Sequence, residues 1–321
     1  MEIPGLHNIE EAAERIREYI HRTPVMTSSM IDSICGAHLF FKCENLQKAG
    51  AFKSRGACNA VFSLDEGQLE KGVATHSSGN HAQALARAAM LREADAYIVM
   101  PETSPRVKVE GVKEYGGRIT FCKPTLKARE DTIRKIISNT GALEIHPYND
   151  YRIIAGQATC ARELLEQTHG LDIILAPVGG GGLLSGTALS VKYLSPGTSV
   201  IAAEPEMAND AYRSFREGRF VPSENPSTIA DGLLTSLGSL TYPIIMKYVD
   251  DIVTVSEDGI IKAMRLVWER MKMVIEPSSA VPLAAILEQK INVKGKRVGI
   301  ILSGGNVDLE NLPWQNMEDR T

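Results

Sequence analysis

Four segments carry residue types that could do chemistry, and the densest is built on glycine. Ile173-Ile174-Leu175-Ala176-Pro177-Val178 runs into Gly179-Gly180-Gly181-Gly182 and then Leu183-Leu184-Ser185-Gly186, the pattern of a strand, a loop and a helix. Glycines let backbone N–H groups turn inward without Cβ clashes, and a helix N-terminus adds partial positive charge, so the segment suits a phosphate. A tight turn uses glycine too, but four in a row weaken a chain unless something approaches it closely. Gly180, Gly182 and Gly186 also approximate a dinucleotide fingerprint, with Glu204 ending the next apolar run where a ribose-binding acid would sit. Against that reading, a nicotinamide-dependent oxidoreductase, stand the loop's place past mid-chain and Ser185 where the third glycine belongs.

The second segment is Lys48-Ala49-Gly50-Ala51-Phe52-Lys53-Ser54-Arg55-Gly56, in which Lys53 has small neighbours, as if a bulky partner must reach its amine. An amine nucleophile forms a Schiff base with a carbonyl cofactor, although a solvated lysine has the same local sequence. The third, Thr75-His76-Ser77-Ser78-Gly79-Asn80-His81, gathers hydroxyls and an amide at the start of a helical pattern. Such a cluster suits a substrate carboxylate, while capping of the helix by Ser77, Ser78 or Asn80 would account for one of these residues. The fourth, Leu302-Ser303-Gly304-Gly305-Asn306, again ends an apolar run with a hydroxyl and glycines, at the edge where α/β sheets bind ligands.

These segments need elements to hold them. Apolar, β-branched runs predict strands over 39–42, 72–75, 96–100, 118–121, 173–178, 199–204, 251–255 and 298–302, with helices over 80–91, 126–138, 154–169 and 259–272. Near-continuous apolar strands alternating with helices argue for an α/β fold, parallel sheets covered on both faces. The chain has 321 residues, about two domains at roughly 150 each. Its 44% apolar and 23% charged residues describe a globular protein, and a net charge of −4 speaks against a nucleic-acid binder, which needs a basic face. No apolar run approaches the roughly 18–20 residues that cross a bilayer, so no membrane insertion is expected. The N-terminus shows no signal-peptide pattern, and the five cysteines are scattered without a CxxC pair, so reduced thiols in a cytoplasmic protein are expected.

In this order, and together with Phe41-Lys42-Cys43-Glu44-Asn45-Leu46-Gln47-Lys48, the four segments resemble the fold-type II pyridoxal-phosphate enzymes, in particular the serine racemase and threonine/serine dehydratase group. The resemblance covers nearly the whole chain. Val267-Trp268-Glu269-Arg270-Met271-Lys272 and Ile275-Glu276-Pro277-Ser278 look closer to eukaryotic-type serine racemases than to catabolic dehydratases. It implies a tryptophan-synthase-β-like fold of two twisted, parallel-type sheets, with a large domain of residues 1–68 and 149–321 and a small domain, 69–148, inserted in it. It also implies roles. Lys53 would hold pyridoxal 5′-phosphate and act as the base on one face; Phe52 and Gly232 would line the cofactor. Gly179, Gly180, Gly181 and Gly182 with Leu183 would cradle its phosphate, Asn80 would bond the ring hydroxyl, and Ser303 would face the pyridine nitrogen. Ser78 would be the acid/base on the opposite face, the pairing that racemisation requires. Ser77, Asn80 and His81 would grip the α-carboxylate, and Arg129 would reach a polar or acidic substrate side chain.

The same resemblance implies a divalent cation (Mg²⁺, Ca²⁺ or Mn²⁺) on Glu204, the Ala208 carbonyl and Asp210, ligands of the oxygen type these ions prefer. It implies an ATP effector site at a homodimer interface touching Ser28, Ser29, Lys48, Gln83, Tyr115, Lys272 and Asn306. The expected activity is racemisation of L-serine, with elimination of L-serine or L-threonine to the 2-oxo acid and ammonia. There are departures from the pattern. Ala82 follows His81 where the group has glycine, which would narrow the carboxylate pocket. Ala49 replaces a threonine. Tyr148-Asn149 and Tyr151-Arg152 replace the usual loop, and Arg152 would favour a dicarboxylate such as aspartate or 3-hydroxyaspartate. A pure dehydratase, an aspartate racemase and a silent amino-acid- or nucleotide-binding protein on the same fold are the alternatives. With the chain stopping soon after Ser303, no C-terminal regulatory domain is expected.

Overall fold

The structure, a computed structural model, describes residues 2–315. Among the described residues, ten strands form two sheets. In chain order they are β1 (Val25–Met26), β2 (His38–Cys43), β3 (Val73–His76), β4 (Ala96–Pro101), β5 (Arg118–Cys122), β6 (Leu143–Glu144), β7 (Ile173–Pro177), β8 (Ser199–Pro205), β9 (Asp251–Val255) and β10 (Arg297–Leu302). The larger sheet has the order β1-β2-β10-β7-β8-β9 and the smaller β5-β4-β3-β6. All pairings are parallel except β1 with β2. Helices cover both faces, so the fold is of the α/β class expected. Parallel strands buried on both faces must be apolar throughout, and β7 has all five residues buried.

Each predicted strand is present, with its ends shifted by a residue or so. The two-residue β1 and β6 are too short to leave a periodic signal. The Pro277–Leu287 helix is missed for the opposite reason: ten of its eleven residues are buried, so it has no polar face to mark a 3.6-residue period, and Pro282 sits inside it.

The smaller sheet takes its strands from Val73 to Glu144. Beneath it Val73, Ile98 and Met100 pack on Ala82, Leu85, Ala86 and Ala89 of the Asn80–Leu91 helix. That core also draws Ala57, Cys58 and Val61 from the Lys53–Phe62 helix, and Ile16 and Ile153 from further away in sequence. Ala82 therefore sends its methyl into this core. The larger sheet packs Phe41, Leu175 and Ile300 against Val267 and Leu283 on one face, and Ile174, Ala176 and Ile301 against Leu184 on the other. The four sequence segments lie at or just beyond strand carboxyl ends, after β2, β3, β7 and β10, where α/β sheets bind ligands.

Candidate active site

Lys53 is the first residue of its helix, and backbone pairing ties that start to the end of β10. Phe52 N donates to the Ser303 carbonyl at 3.0 Å, and Ala51 bridges Gly304. Residues distant in sequence are thus neighbours: the amine-bearing turn and the Ser303 hydroxyl share one short β-bridge. Lys53 Nζ donates to the Pro147 carbonyl at 2.8 Å and lies 5.1 Å from the Phe52 ring centroid. Burial pulls this amine down to about 8, while the Glu276 charge opposes a further fall. A lysine held this way is part neutral near physiological pH, which an amine nucleophile needs.

The glycine loop is a close-packed cradle. Gly181 has φ +87, a left-handed conformation open to glycine, and begins the Gly182–Leu194 helix. A Cβ on Gly179 would come within 2.9 Å of Leu233 Cα, and one on Gly180 would run into the Tyr148 ring. Thr241 Oγ1 donates to the Gly180 carbonyl at 2.8 Å. No side chain is tolerated on the loop, so its backbone is what a ligand would meet. Gly186 serves packing instead: a Cβ there would lie 2.6 Å from Ala158 N, where two helices cross. The third glycine of the dinucleotide reading thus has a structural role. Beside the loop, Gly232 N donates to Ser278 Oγ at 3.1 Å. Ser303 is buried, its hydroxyl 3.2 Å from that of Ser279, which also holds Gly304 N and O at 2.6 Å each.

Ser77 and Ser78 follow β3. The cap position of the next helix is Gly79, with no side-chain cap, so the hydroxyls are not engaged there as caps; Ser77 Oγ accepts only from Gly79 N at 3.3 Å. Asn80 Nδ2 donates to Glu276 Oε1 at 2.7 Å, and its Oδ1 accepts from Asn306 Nδ2 at 3.0 Å. His81 is buried, 3.2 Å from the Ile145 carbonyl, and burial with the Lys53 charge pushes it well below the ordinary histidine value. His76 and His146 stack edge to face at 5.8 Å, and burial brings each down to about 4. These rings are neutral at pH 7.

Sequence reasoning gave no role to Glu276, Lys108, Asp231 or Ser279. Lys108 is 3% exposed, lies over Gly79, and reaches Asp231 Oδ2 at 2.5 Å and Glu276 Oε2 at 3.7 Å. Burial works against its charge, but Glu276 and Asp231 outweigh it and hold the amine raised. Burial lifts the Glu276 carboxyl to about 7 against the pull of Lys108. The motif around Glu276 was visible, but its partners come from other parts of the chain and no spacing announces them.

Arg129 lies on the Leu126–Thr140 helix with its Nε buried and without a hydrogen-bond partner, and its charge bears on His76 and Tyr148. Tyr148 stacks edge to face on His146 at 4.6 Å. Arg152, in the first turn of the Tyr151–Gln167 helix, pairs at 2.6 Å with Asp150, the residue that caps that helix.

Glu204 ends β8 fully buried, and its carboxylate accepts from Ala211 N and Tyr212 N at 3.1 and 2.8 Å. Asp210 is buried beside it, both carboxylate oxygens lacking a partner; Ser223 and the Leu237 amide lean towards it without closing a hydrogen bond. Burial lifts Asp210 to about 6 and, with Asp210 itself as neighbour, lifts Glu204 well above the carboxylate range. Ala208 is buried on the short turn between them. Among the described residues no three or more His, Cys, Asp or Glu side chains converge, so a cation here would rest on these two carboxylates and on neutral oxygens.

Of the residues expected to touch a nucleotide, Asn306 Nδ2 reaches the Ala49 carbonyl at 2.8 Å, next to Lys48, and Gln83 packs against Gly111, one turn from Tyr115. Ser28 caps its own helix beside Ser29, and the exposed Lys272 donates to the Glu269 carbonyl at 2.7 Å.

A family model for pyridoxal-phosphate dependent enzymes matches residues 16–304. The chain is 54% identical over 314 residues to a beta-hydroxyaspartate dehydratase of Paracoccus denitrificans, covering 98% of this chain and 100% of that one. It is 54% identical over 312 residues to a serine racemase of Dictyostelium discoideum, covering 96% of each. The structure of maize serine racemase superposes with a TM-score of 0.94 at 47% identity, over 99% of this chain and 98% of that one.

Proposed function

The chain belongs to the family of pyridoxal-phosphate-dependent enzymes, and from that premise we propose that it racemises L-serine and eliminates water from L-serine and L-threonine, giving the 2-oxo acid and ammonia. The observation that carries this is the Ser77-Ser78 pair after β3, whose hydroxyls do not cap the helix that follows, together with a lysine that is part neutral. The residues present fit pyridoxal phosphate: a buried amine at Lys53, a glycine cradle that excludes side chains, and the Ser303–Ser279 hydroxyl pair. When bound, the cofactor supplies the electron sink that loosens the α-proton of an attached amino acid. Lys53 then takes that proton from one face, and Ser78 delivers one from the other, which inverts the α-carbon. In elimination the same abstraction is followed by departure of the β-hydroxyl. Phe52, Gly179 to Gly182, Leu183 and Gly232 shape the cofactor pocket, while Ser77, Asn80 and His81 hold the carboxylate. Neutral His81 serves there as a dipole rather than a charge.

A second reading has its own observation. The buried, unpaired Nε of Arg129, beside His76 and Tyr148, suits a substrate with a second carboxylate, 3-hydroxyaspartate for elimination or aspartate for racemisation. Incubating L-serine, L-threonine and 3-hydroxyaspartate separately with enzyme, pyridoxal phosphate, Mg²⁺ and ATP, while assaying D-amino acid and 2-oxo acid together, tests both. D-serine alongside pyruvate supports the first reading, whereas turnover confined to 3-hydroxyaspartate replaces it with the second. Ser78→Ala should suppress D-serine; a variant that makes it at the wild-type rate removes Ser78 from this role. Arg129→Ala should cut kcat/KM for 3-hydroxyaspartate by roughly tenfold to a hundredfold, the worth of one charged hydrogen bond, and spare L-serine.

Glu204, Asp210 and the Ala208 carbonyl form the site for Mg²⁺, Ca²⁺ or Mn²⁺ in this reading, supported by the orphaned Asp210 oxygens. ATP acts as an effector through Ser28, Ser29, Lys48, Gln83, Tyr115, Lys272 and Asn306. The enzyme works as a homodimer, to which the exposed Met30, Ile34, Leu46 and Val274 lend apolar surface. Residues 69–148 move as an inserted small domain on a larger one, 1–68 and 149–321, supported by the separate smaller sheet. A cytoplasmic setting is supported by five cysteines that are all free, and no described helix is long and apolar enough to cross a membrane.

A further inference from the structure

Arg55 lies two residues after Lys53 on the same helix and is wholly buried. Two positions on a helix turn through about 200°, so the two side chains leave on opposite sides. Lys53 points to the Pro147 carbonyl, while Arg55 points into a joint of charges in which all five of its N–H donors are engaged. Nε and Nη2 hold the two Glu44 oxygens at 2.7 and 2.8 Å, and Nη1 and Nη2 hold the two Glu163 oxygens at 2.8 and 2.9 Å. Nη1 also reaches Thr159 Oγ1 at 3.1 Å. Buried Lys42 braces Glu163 from β2 at 2.6 Å, so the charges balance. Glu44 belongs to the turn after β2, and Glu163 to the Tyr151–Gln167 helix, which begins just past Pro147.

The neighbours of Lys53 are fastened as well. Ser54 Oγ donates to the Lys48 carbonyl, and Gly56 N donates to Gln157 Oε1 at 3.2 Å. A Cβ on Gly156 would lie 2.6 Å from Gly56 Cα, so the two helices cross with no room for adjustment. The same pair of helices therefore places both the amine and the carbonyl that receives its hydrogen bond. A planar guanidinium gripped by two carboxylates fixes both distance and rotation, which a point charge does not.

We propose that Arg55 is a positioning residue for Lys53: its fork onto Glu44 and Glu163 sets where the first turn of the lysine helix lies against the Pro147 carbonyl, and so sets the reach and surroundings of the amine. The consequence for catalysis rests on the proposed function, but the placement itself can be read without cofactor. In the full chain, acylation of Lys53 by a small anhydride, followed by peptide mass spectrometry across the alkaline range, reports the amine directly. Wild type should react with a midpoint near pH 8. Arg55→Lys keeps the charge and loses the fork; its Lys53 midpoint should rise towards the ordinary 10.5, and kcat with pyridoxal phosphate should fall about tenfold with KM little changed. Val267→Ala, which hollows a distant part of the core, is the control for lost stability: it should lower Tm and leave both readouts alone. Wild-type values in Arg55→Lys, or an equal shift in Val267→Ala, would make the joint mere scaffold and overturn the proposal. If Arg55→Lys does not fold, Glu163→Gln keeps the shape, removes one charge, and is judged by the same two readouts. Failure of the wild type to take up pyridoxal phosphate would sink the proposed function instead, leaving the anhydride result to decide this proposal alone.

Discussion

Two buried clusters of charge lie at carboxyl ends of the larger sheet's strands, one at β2 and one at β8, and differ in completeness. Around Arg55, two cations and two carboxylates cancel, and every guanidinium donor has an acceptor. Around Asp210, two carboxylates meet with only the Arg213 charge at a distance and no cation bonded to them, and both Asp210 oxygens lack partners. Burial penalises both, yet only the first compensates within the chain. A saturated cluster is a joint and an unsaturated one is a vacancy for something positive. The Lys108–Asp231–Glu276 group lies between these extremes: it is charged and paired, but Glu276 Oε2 stands 3.7 Å from Lys108 without a hydrogen bond. That incompleteness sits at the candidate active site, where a charge able to respond is of use.

The contrast can be broken most forcefully at Glu163. Glu163→Leu would strand Lys42 and leave Arg55 with Glu44 alone, and removing one partner from a buried pair costs about 3–5 kcal/mol, read as a lower urea midpoint. An unchanged midpoint would mean that the joint carries no load. Next in size, Mg²⁺, Ca²⁺ or Mn²⁺ at a hundredfold excess over its Kd should stabilise the wild type by about 2.7 kcal/mol. The rise in Tm should vanish in Asp210→Asn, whose metal-free form should be no less stable than wild type. A cation-induced rise surviving in that variant would place the ion elsewhere.

Smaller is the effect of Glu276→Gln on Lys53. The carboxylate raises the amine, so its loss should take the midpoint below about 8. The sign extends to stability. Because the folded amine titrates below the unfolded one, burying its charge costs stability below about 8, and this cost fades as pH rises towards 10.5. Cofactor-free wild type should therefore gain stability from Lys53 across that window, and Glu276→Gln should begin the gain at lower pH. At the bottom of the scale, the exposed Arg265–Glu269 pair, one turn apart on a helix, should be dispensable: Arg265→Ala should leave Tm where it was.

Much of this was legible in the sequence because it is local. An apolar run buried on both faces writes a strand such as β7 residue by residue, and a glycine loop followed by a helix writes its own cradle. Lys53 and the Ser77-Ser78 pair were visible as chemistry, though the helix-capping account of the serines could be set aside only once Gly79 was seen at the cap. The joint was not legible. Lys42, Glu44, Arg55 and Glu163 share no periodicity, and only packing of the helices at Gly56 and Gly156 brings them together. Arg152 was visible as a basic residue, but not its partner: the structure pairs it with Asp150, two positions away.

The place of β2 in the larger sheet has a consequence for synthesis. β2 is hydrogen-bonded to β10 along its whole length, from Arg297 opposite His38 to Leu302 opposite Cys43. As the chain leaves the ribosome, β2 must wait for its main partner until the whole stretch between Cys43 and Arg297 has been made. Until then its far side has only the two-residue β1 as cover on one edge and an open row of N–H and C=O groups on the other, a template for unwanted pairing. The lysine turn waits too, since Phe52 has no Ser303 carbonyl to hold it. Over that long interval the nascent protein is exposed to aggregation at β2, and the lysine turn takes its final place only when β10 has been made.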